Sequence, residues 1–571
     1  MRLHPYAAVV LGVLGGGGGV EAAAQSPGPI ASVPFYINAQ SFDSAFPDYG
    51  AERIIEDAAR QWNWAGGSRF ALDYVGTTTI DPDGGCPLAS DGGSFNIIYA
   101  QPGPGIVNGN GGYNAYTIPC GANGTQFAIE VFPQQPPYLT DNETAGQIDL
   151  QTIVQHEFGH ALGWGPIHPD PTQWACNVAS PWCVLNRIPC PNDRSRRFFC
   201  VNEIDGISSL DGVASATPQW LLQPNGWPGF SATGWETGPL FQENNYGYGL
   251  GAISPADGDR TFFWTDVTTS PHPVDYCAPY ASHVIPCWQN TIPYSSSDMR
   301  PAVAYDTNRG NWWVFWRNRP GSGSLYPTDG PAIIYSISSD LATWSTPAEL
   351  WFSNIYTPMP LSRLPVGAAY DNFSDSLVVV FANWNAPNGD TTAGNDFTCT
   401  NTYGCSGELN LATVPAGAAQ PITFNGPWDL GVIATTPPAV ACEYSQTDYE
   451  CQVLLNGETW HRNILSFTFG LYQDGSLYNV PTPIQDMGGW TDDPIGLTFN
   501  GVNKQGDFVA MITEANPQGY VSFMEKPLVE DNWGPWQYPW GSNGQYGPQT
   551  HLGPVIKISP SNSDYEAIYA Q

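Results

Sequence analysis

"RPAVAYDTNRGNWWVFWRN", residues Arg300–Asn318, reads as a single β-hairpin. A β-prone run, Ala302–Tyr305, meets the turn-forming Asp306-Thr-Asn-Arg-Gly310, and an aromatic run, Trp312–Trp316, leads back. Apolar runs on either side of an Asp/Asn/Gly cluster are what a strand–turn–strand unit requires. The plan returns in "LPVGAAYDNFSDSLVVVFANW" from Leu364, "PPAVACEYSQTDYECQVLLN" from Pro437, "DPIGLTFNGVNKQGDFVAMIT" from Asp493 and "GPVIKISPSNSDYEAIYAQ" from Gly553. "YGLGAISPADGDRTFFWTD" from Tyr248 makes a sixth copy. Prolines 301, 365, 438, 494 and 554 mark intervals of roughly 60 residues, a length that suits four-stranded β-propeller blades with decorated loops. The last hairpin ends at Gln571 without outer strands, while "SATGWETGPLF" (Ser231–Phe241) resembles the outer-strand segment "DLATWSTPAEL" (Asp340–Leu350). The N-terminal piece of this half is therefore expected to complete the final blade. Six blades result, with five blades or an array of β-sandwiches as the alternatives.

Composition agrees with extensive β-structure on short hairpins. Charged residues make up only 12% against 13% aromatic, and the 571 residues include 62 Gly and 53 Pro. A net charge of −34 argues against nucleic acid or an anionic membrane as a partner. The chain length calls for at least two domains. Its first residues have the form of a secretion signal: Arg2, a short apolar run at Ala7–Leu14, and Ala22-Ala23-Ala24 before Gln25. No later stretch approaches the ~20 apolar residues of a membrane span. Twelve cysteines, an even number, fit an oxidising compartment. They group as Cys86 with Cys120, then Cys176, Cys183, Cys190 and Cys200, then the close pairs Cys277/Cys287, Cys399/Cys405 and Cys442/Cys451. The organisation expected is a signal peptide over 1–24, a first domain over 25–213 and the propeller over 214–571, in a secreted, extracellular protein.

Within the first domain, "VPFYINAQSF" opens as a strand, and Ile54, Ile55, Ala58, Ala59 and Trp62 recur at helical spacing before Gly66-Gly67. "RFALDYVG", "GSFNIIYAQ" and "TQFAIEVFP" follow as strands, and "TIVQHEFGHALG" closes the series as a helix. A mixed sheet packed against two helices is the expected plan. His156 and His160 lie about one helical turn apart, so both imidazoles project from one face and can share a metal. Glu157, beside them, is placed to take a proton from a metal-bound water.

"HEFGHALGW", after the strand–helix–strand pattern, resembles the matrixin branch of the metzincin zinc proteases, and "NEIDGISSLDGV" (Asn202–Val213) resembles that family's closing helix. The likeness covers roughly residues 32–213. It implies an α+β metzincin-like domain, a zinc ion held by three histidines, Glu157 as catalytic base, structural Ca2+ without assignable ligands, and Gly163 as the end of the site helix. The sequence departs from the family at two points. Pro166 stands where the third histidine belongs, leaving His168 as the expected third ligand and Asp170 as the substitute. Leu185, in "SPWCVLNR", stands in place of the methionine beneath the metal. Only about eight residues separate Gln25 from the first strand, too few for an inhibitory propeptide.

"SSDLATW" (Ser338–Trp344) resembles the Asp-box of sialidases and is expected to serve as a blade turn. The few arginines of this half supply no ordered substrate-gripping set. The combined expectation is a secreted zinc endopeptidase acting on protein or peptide, with a propeller that binds substrate, an extracellular surface or a glycan. The alternative is a non-catalytic secreted adhesion or carbohydrate-binding propeller protein with a degenerate protease domain. A glycosidase comes third.

Overall fold

The computed structural model describes strands, helices and connecting turns between residues 31 and 570. Residues 1–30, 164–217 and a number of loops, including 385–407, lie outside the described set. The signal segment, His168, Asp170, Leu185, the Cys176–Cys200 group and the expected closing helix all fall there. The chain divides into two compact units, one formed up to residue 214 and the other from the bulk of the chain from 215 onward. Among the described residues no helix is long and apolar enough to cross a membrane.

The first unit carries β1 (Ala31–Ile37), α1 (Ala39–Phe42), α2 (Gly50–Ala65), β2 (Phe70–Thr77), β3 (Asn96–Ala100), β4 (Ala115–Cys120), β5 (Gln126–Val131) and α3 (Leu150–Ala161). The sheet order is β2-β1-β3-β5-β4. All neighbours run parallel except β4, which returns antiparallel to β5. A parallel centre needs cover on both faces, and β3 is buried along its whole length. On one face Phe35, Ile37, Ile98, Phe127 and Ile129 meet Ile54, Ile55, Ala58 and Trp62 of α2 and Val154 and Phe158 of α3. On the other, Ile97, Tyr99 and Ala128 are covered by the segment that the Cys86–Cys120 disulfide ties down. Polar side chains close the remaining seams. The Asn63 amide brackets the edge strand, donating to the Leu72 carbonyl (3.0 Å) and accepting from its N–H (2.8 Å). The Trp62 indole donates to the Gln155 carbonyl at 2.8 Å and so fixes α2 against α3.

Among its described residues the second unit is all β. Six sheets begin at Ala252–Ile253, Ala302–Asp306, Gly367–Asp371, Ala439–Cys442, Gly496–Asn500 and Val555–Ile558. Each of these first strands touches the next in that order, and the sixth touches the first, closing a propeller-like ring. In the sixth sheet Pro218–Gln223 pairs with Tyr565–Ala570, and Glu236–Pro239 adds the outer strand, so the N-terminal piece completes it. Cys442 and Cys451, a facing pair on the first hairpin of the fourth sheet, form a disulfide. The third sheet is less regular than the repeat implies. Its outer strand, Thr423–Ile433, also pairs in parallel with Trp351–Phe352 from the preceding connection.

The hairpin of residues 300–318 shows why the repeat folds as it does. Ala302–Asp306 faces Asn311–Arg317, and the turn between them is built on one carboxylate. Asp306 Oδ1 accepts from the N–H groups of Asn308 (3.0 Å) and Arg309 (3.1 Å). Gly310 then takes φ +70°, a conformation that favours glycine. Trp313, Phe315 and Tyr335 pack the interior behind it.

Candidate functional site

The helix α3 puts the motif where its spacing predicts. Phe158 anchors it edge-on against Phe35 (5.3 Å) and Phe127 (6.3 Å), and Gly163, at φ +92°, ends it. Opposite this apolar anchor, His156 and His160 stand half-buried with rings 4.7 Å apart and Nε2 atoms 3.0 Å apart. Two zinc–nitrogen bonds of about 2.0–2.1 Å at a tetrahedral angle hold their nitrogens about 3.3 Å apart, so the pair fits two corners of a zinc site. Glu157 is buried between helix and sheet, within electrostatic reach of His160. The Thr117 hydroxyl on β4 lies 2.8 Å from its Oε2 and 2.9 Å from its carbonyl. Burial pushes the Glu157 carboxyl above the ordinary range, with His160 and Thr117 opposing. His168 and Asp170 lie outside the described residues, and among the described residues no three His, Cys, Asp or Glu side chains converge as a metal site.

In the second unit, the Asp-box-like turn is spent on its own backbone. Asp340 Oδ1 accepts from the N–H groups of Ala342 (2.9 Å) and Thr343 (2.7 Å), which hold its carboxyl below the usual range. Ser338 Oγ accepts from Leu341 N–H at 2.9 Å. Trp344 packs edge-on against Phe263 and Tyr276 of the first sheet, and the Tyr276 hydroxyl donates to the Leu341 carbonyl. Arg300 and Arg317 are buried, so neither offers an open guanidinium to a substrate.

A third feature carries no motif. After the third strand of the fourth sheet, Ile464–Phe469, the chain makes a tight turn over Gly470–Tyr478 that shows two tyrosines to solvent. Tyr472 is 48% exposed and Tyr478 53%, with ring centroids 4.8 Å apart and planes at 70°. The only sequence signal is "GLYQDGSLY", a tyrosine on each flank of an Asp-Gly turn. With aromatics at 13% of the chain, it does not stand out.

No protein-family model matches the chain, and no curated protein matches it. Among solved structures it is similar to a triple arginine-to-alanine mutant of AofleA from Arthrobotrys oligospora, at 8% identity and a TM-score of 0.35, over 57% of this chain and 82% of that one. A Trypanosoma rangeli sialidase matches at 8% identity and TM-score 0.35, over 61% and 57%. An exo-β-1,3-galactanase from Phanerochaete chrysosporium matches at 11% and 0.28, over 47% and 59%. The chain thus spans less than two thirds of the sialidase and of the galactanase. At these scores the likeness carries no argument about chemistry, and the ring is read from its strand pairing.

The matrixin resemblance, and the zinc endopeptidase acting on protein or peptide that it implied, are corrected on these findings. No metzincin model matches, and among the described residues no group of three metal-ligating side chains forms. A helical His-x-x-x-His pair establishes only that two imidazoles share a face. The features that complete the family's site, a third histidine and a methionine turn, are the ones replaced by Pro166 and Leu185.

Proposed function

We propose that the protein is a secreted, non-catalytic binding protein whose six-bladed propeller attaches to extracellular surface or glycan material. The closed ring of six sheets, with its Asp-box-like turn consumed by backbone hydrogen bonds, is the observation that supports this reading. The Cys86–Cys120 and Cys442–Cys451 disulfides suit an oxidising compartment. The strong negative charge favours neutral or cationic partners over polyanions. In the first unit His156 and His160, with His168, would hold a zinc ion, which would supply a Lewis acid there. Glu157 is held by Thr117 and stiffens the join between α3 and β4.

The test is binding of the full chain to arrays of neutral and acidic glycans and to immobilised extracellular proteins, with product analysis of each bound glycan. Saturable binding without turnover supports the reading. Absence of binding, or release of cleaved sugar, overturns it. Metal content of the wild type, His156→Ala and His168→Ala tests the zinc site: one zinc per chain is expected in the wild type and less in both variants. Retention of zinc by His168→Ala would move the third ligand to Asp170 or water.

A further inference from the structure

The backbone of the turn Gly470–Tyr478 is pinned at several points. Leu471 and Leu477 face each other across it, Tyr472 N–H donates to the Ser476 carbonyl (2.8 Å), and Tyr478 N–H donates to that of Gly470 (2.8 Å). Gly475 takes φ +76°, and its carbonyl accepts from the Thr413 hydroxyl of the third sheet at 2.5 Å. A Cβ on Gly475 would meet Ser376 Oγ at 2.7 Å, so the turn is seated against the neighbouring sheet. Asp474 uses one oxygen, Oδ1, for both bonds from Ser476, at 2.9 Å from the N–H and 2.5 Å from the hydroxyl. These bonds leave Oδ2 as an acceptor, and the carboxylate is fully exposed. Neither tyrosine hydroxyl has a hydrogen-bond partner among the described residues.

We infer that this turn is a sugar-binding platform, on which one of the Tyr472 and Tyr478 rings stacks against the C–H face of a neutral pyranose, the other flanks the sugar at a steep angle, and Asp474 Oδ2 accepts one of its hydroxyls. The inference rests on the proposed binding function and locates it. A rigid aromatic surface beside a carboxylate matches a sugar, which has one apolar face and a rim of hydroxyl donors. Tyrosine supplies contact area with little rotamer freedom to lose, and a seated turn reduces the ordering cost of binding. An anionic glycan is disfavoured by a net charge of −34. An ammonium group gains most where several rings surround and desolvate it. Here two rings meet edge to face and make one wall.

The experiment titrates the full chain with neutral oligosaccharides (β-glucan, galactan, mannan and chitin fragments), with heparin fragments, and with a trimethyl-lysine peptide. At least one neutral class should bind. Tyr472→Ala and Tyr478→Ala should each weaken it by about tenfold or more, Asp474→Asn should weaken it several-fold, and Tyr472→Phe should retain most of it. Unchanged melting temperatures in the four variants would show that the ring is intact. Neutral-sugar binding that survives both alanine variants places the glycan elsewhere on the ring, sinking this inference and sparing the binding function. No binding to any sugar sinks this inference, and the binding function falls with it only if the immobilised extracellular proteins are not bound either. Peptide binding that the alanine variants abolish, without sugar binding, makes the turn a cation site and overturns the sugar assignment.

Discussion

Two neighbouring seams of the ring differ in what their inner hairpins place against each other. The second and third sheets share an apolar core, with Tyr335 against Phe424, and at the hairpin turns this seam is closed by a charged contact partly open to water. Arg309, in the Asp306–Gly310 turn, grips Asp375 with both guanidinium arms, at 2.7 and 2.5 Å, and also reaches Asp306 at 3.1 Å. Tyr370 and Asn308 donate to the same Asp375 carboxylate at 2.6 and 3.2 Å. Between the third and fourth sheets the inner strands meet backbone to backbone. A Cβ added to Gly367 would fall 2.6 Å from the Pro438 carbonyl oxygen and 3.3 Å from Val440. The first kind of contact can be rearranged by side chains and weakened by solvent, whereas the second has no slack.

The backbone contact should therefore be the more costly to disturb. Gly367→Ala forces the inner strands Gly367–Asp371 and Ala439–Cys442 apart, because the atom in the way is backbone and cannot swing aside. Overpacking of that kind costs about 1–3 kcal/mol, and we expect a loss in that range from denaturant unfolding. A change within a few tenths would show that the seam yields, and the contrast with the charged seam would collapse.

This contrast marks where the sequence could be read. The hairpins and their turns are local, since strand alternation and an Asp three residues before its N–H partner appear in any short window. Ring closure was legible for a different reason: residues 236–239 resemble an outer strand, so the missing partner of the last sheet could be found by likeness. Gly367 was not legible, because a glycine needed for close approach looks like any other until its neighbour is known. Tyr472 and Tyr478 were hidden by abundance. The histidine pair points to a protease only when four-residue spacing is combined with a family likeness. Spacing correctly put both imidazoles on one face, while the third ligand depended on a segment that helical geometry does not govern.

The charged seam gives a smaller effect with a pH signature. Arg309→Met should cost up to about 1 kcal/mol at pH 7, since both partners are more than a third exposed and solvent screens the pair. The hydrogen bonds of Arg309, together with those of Tyr370 and Asn308, hold the Asp375 carboxyl well below its usual range. A depressed carboxyl stabilises the fold above its unfolded value of about 3.9 and loses that contribution as pH falls through the folded value. The stability gap between wild type and Arg309→Met should thus be constant from pH 7 to 5 and shrink below about pH 4. A gap that persists into strong acid would mean that Arg309 acts by packing, against Gly417 for instance, and not by charge.

The smallest effect separates the clamp from the turn that carries it. Asp375 occupies the position in Asp371–Asp375 that Gly310 occupies in Asp306–Gly310, and it does so at φ +50°. Asp371 caps its turn as Asp306 does, accepting from Phe373 N–H (3.2 Å) and Ser374 N–H (3.0 Å), so the two turns differ chiefly at this last residue. A left-handed conformation costs a non-glycine residue roughly 1–2 kcal/mol, less for Asp, and glycine gives back about 0.5–1 kcal/mol in unfolded-state entropy. Asp375→Gly also discards the clamp, so in the wild type the terms nearly cancel and stability should change by less than about 0.5 kcal/mol. In the Arg309→Met background the ion pair is already gone and only the Tyr370 and Asn308 hydrogen bonds remain to lose, so the same substitution should be less unfavourable than in the wild type. The difference between the two backgrounds measures the clamp itself. Equal effects in both would mean that the turn accommodates aspartate at φ +50° without help from the next sheet, and that the charged contact holds nothing together.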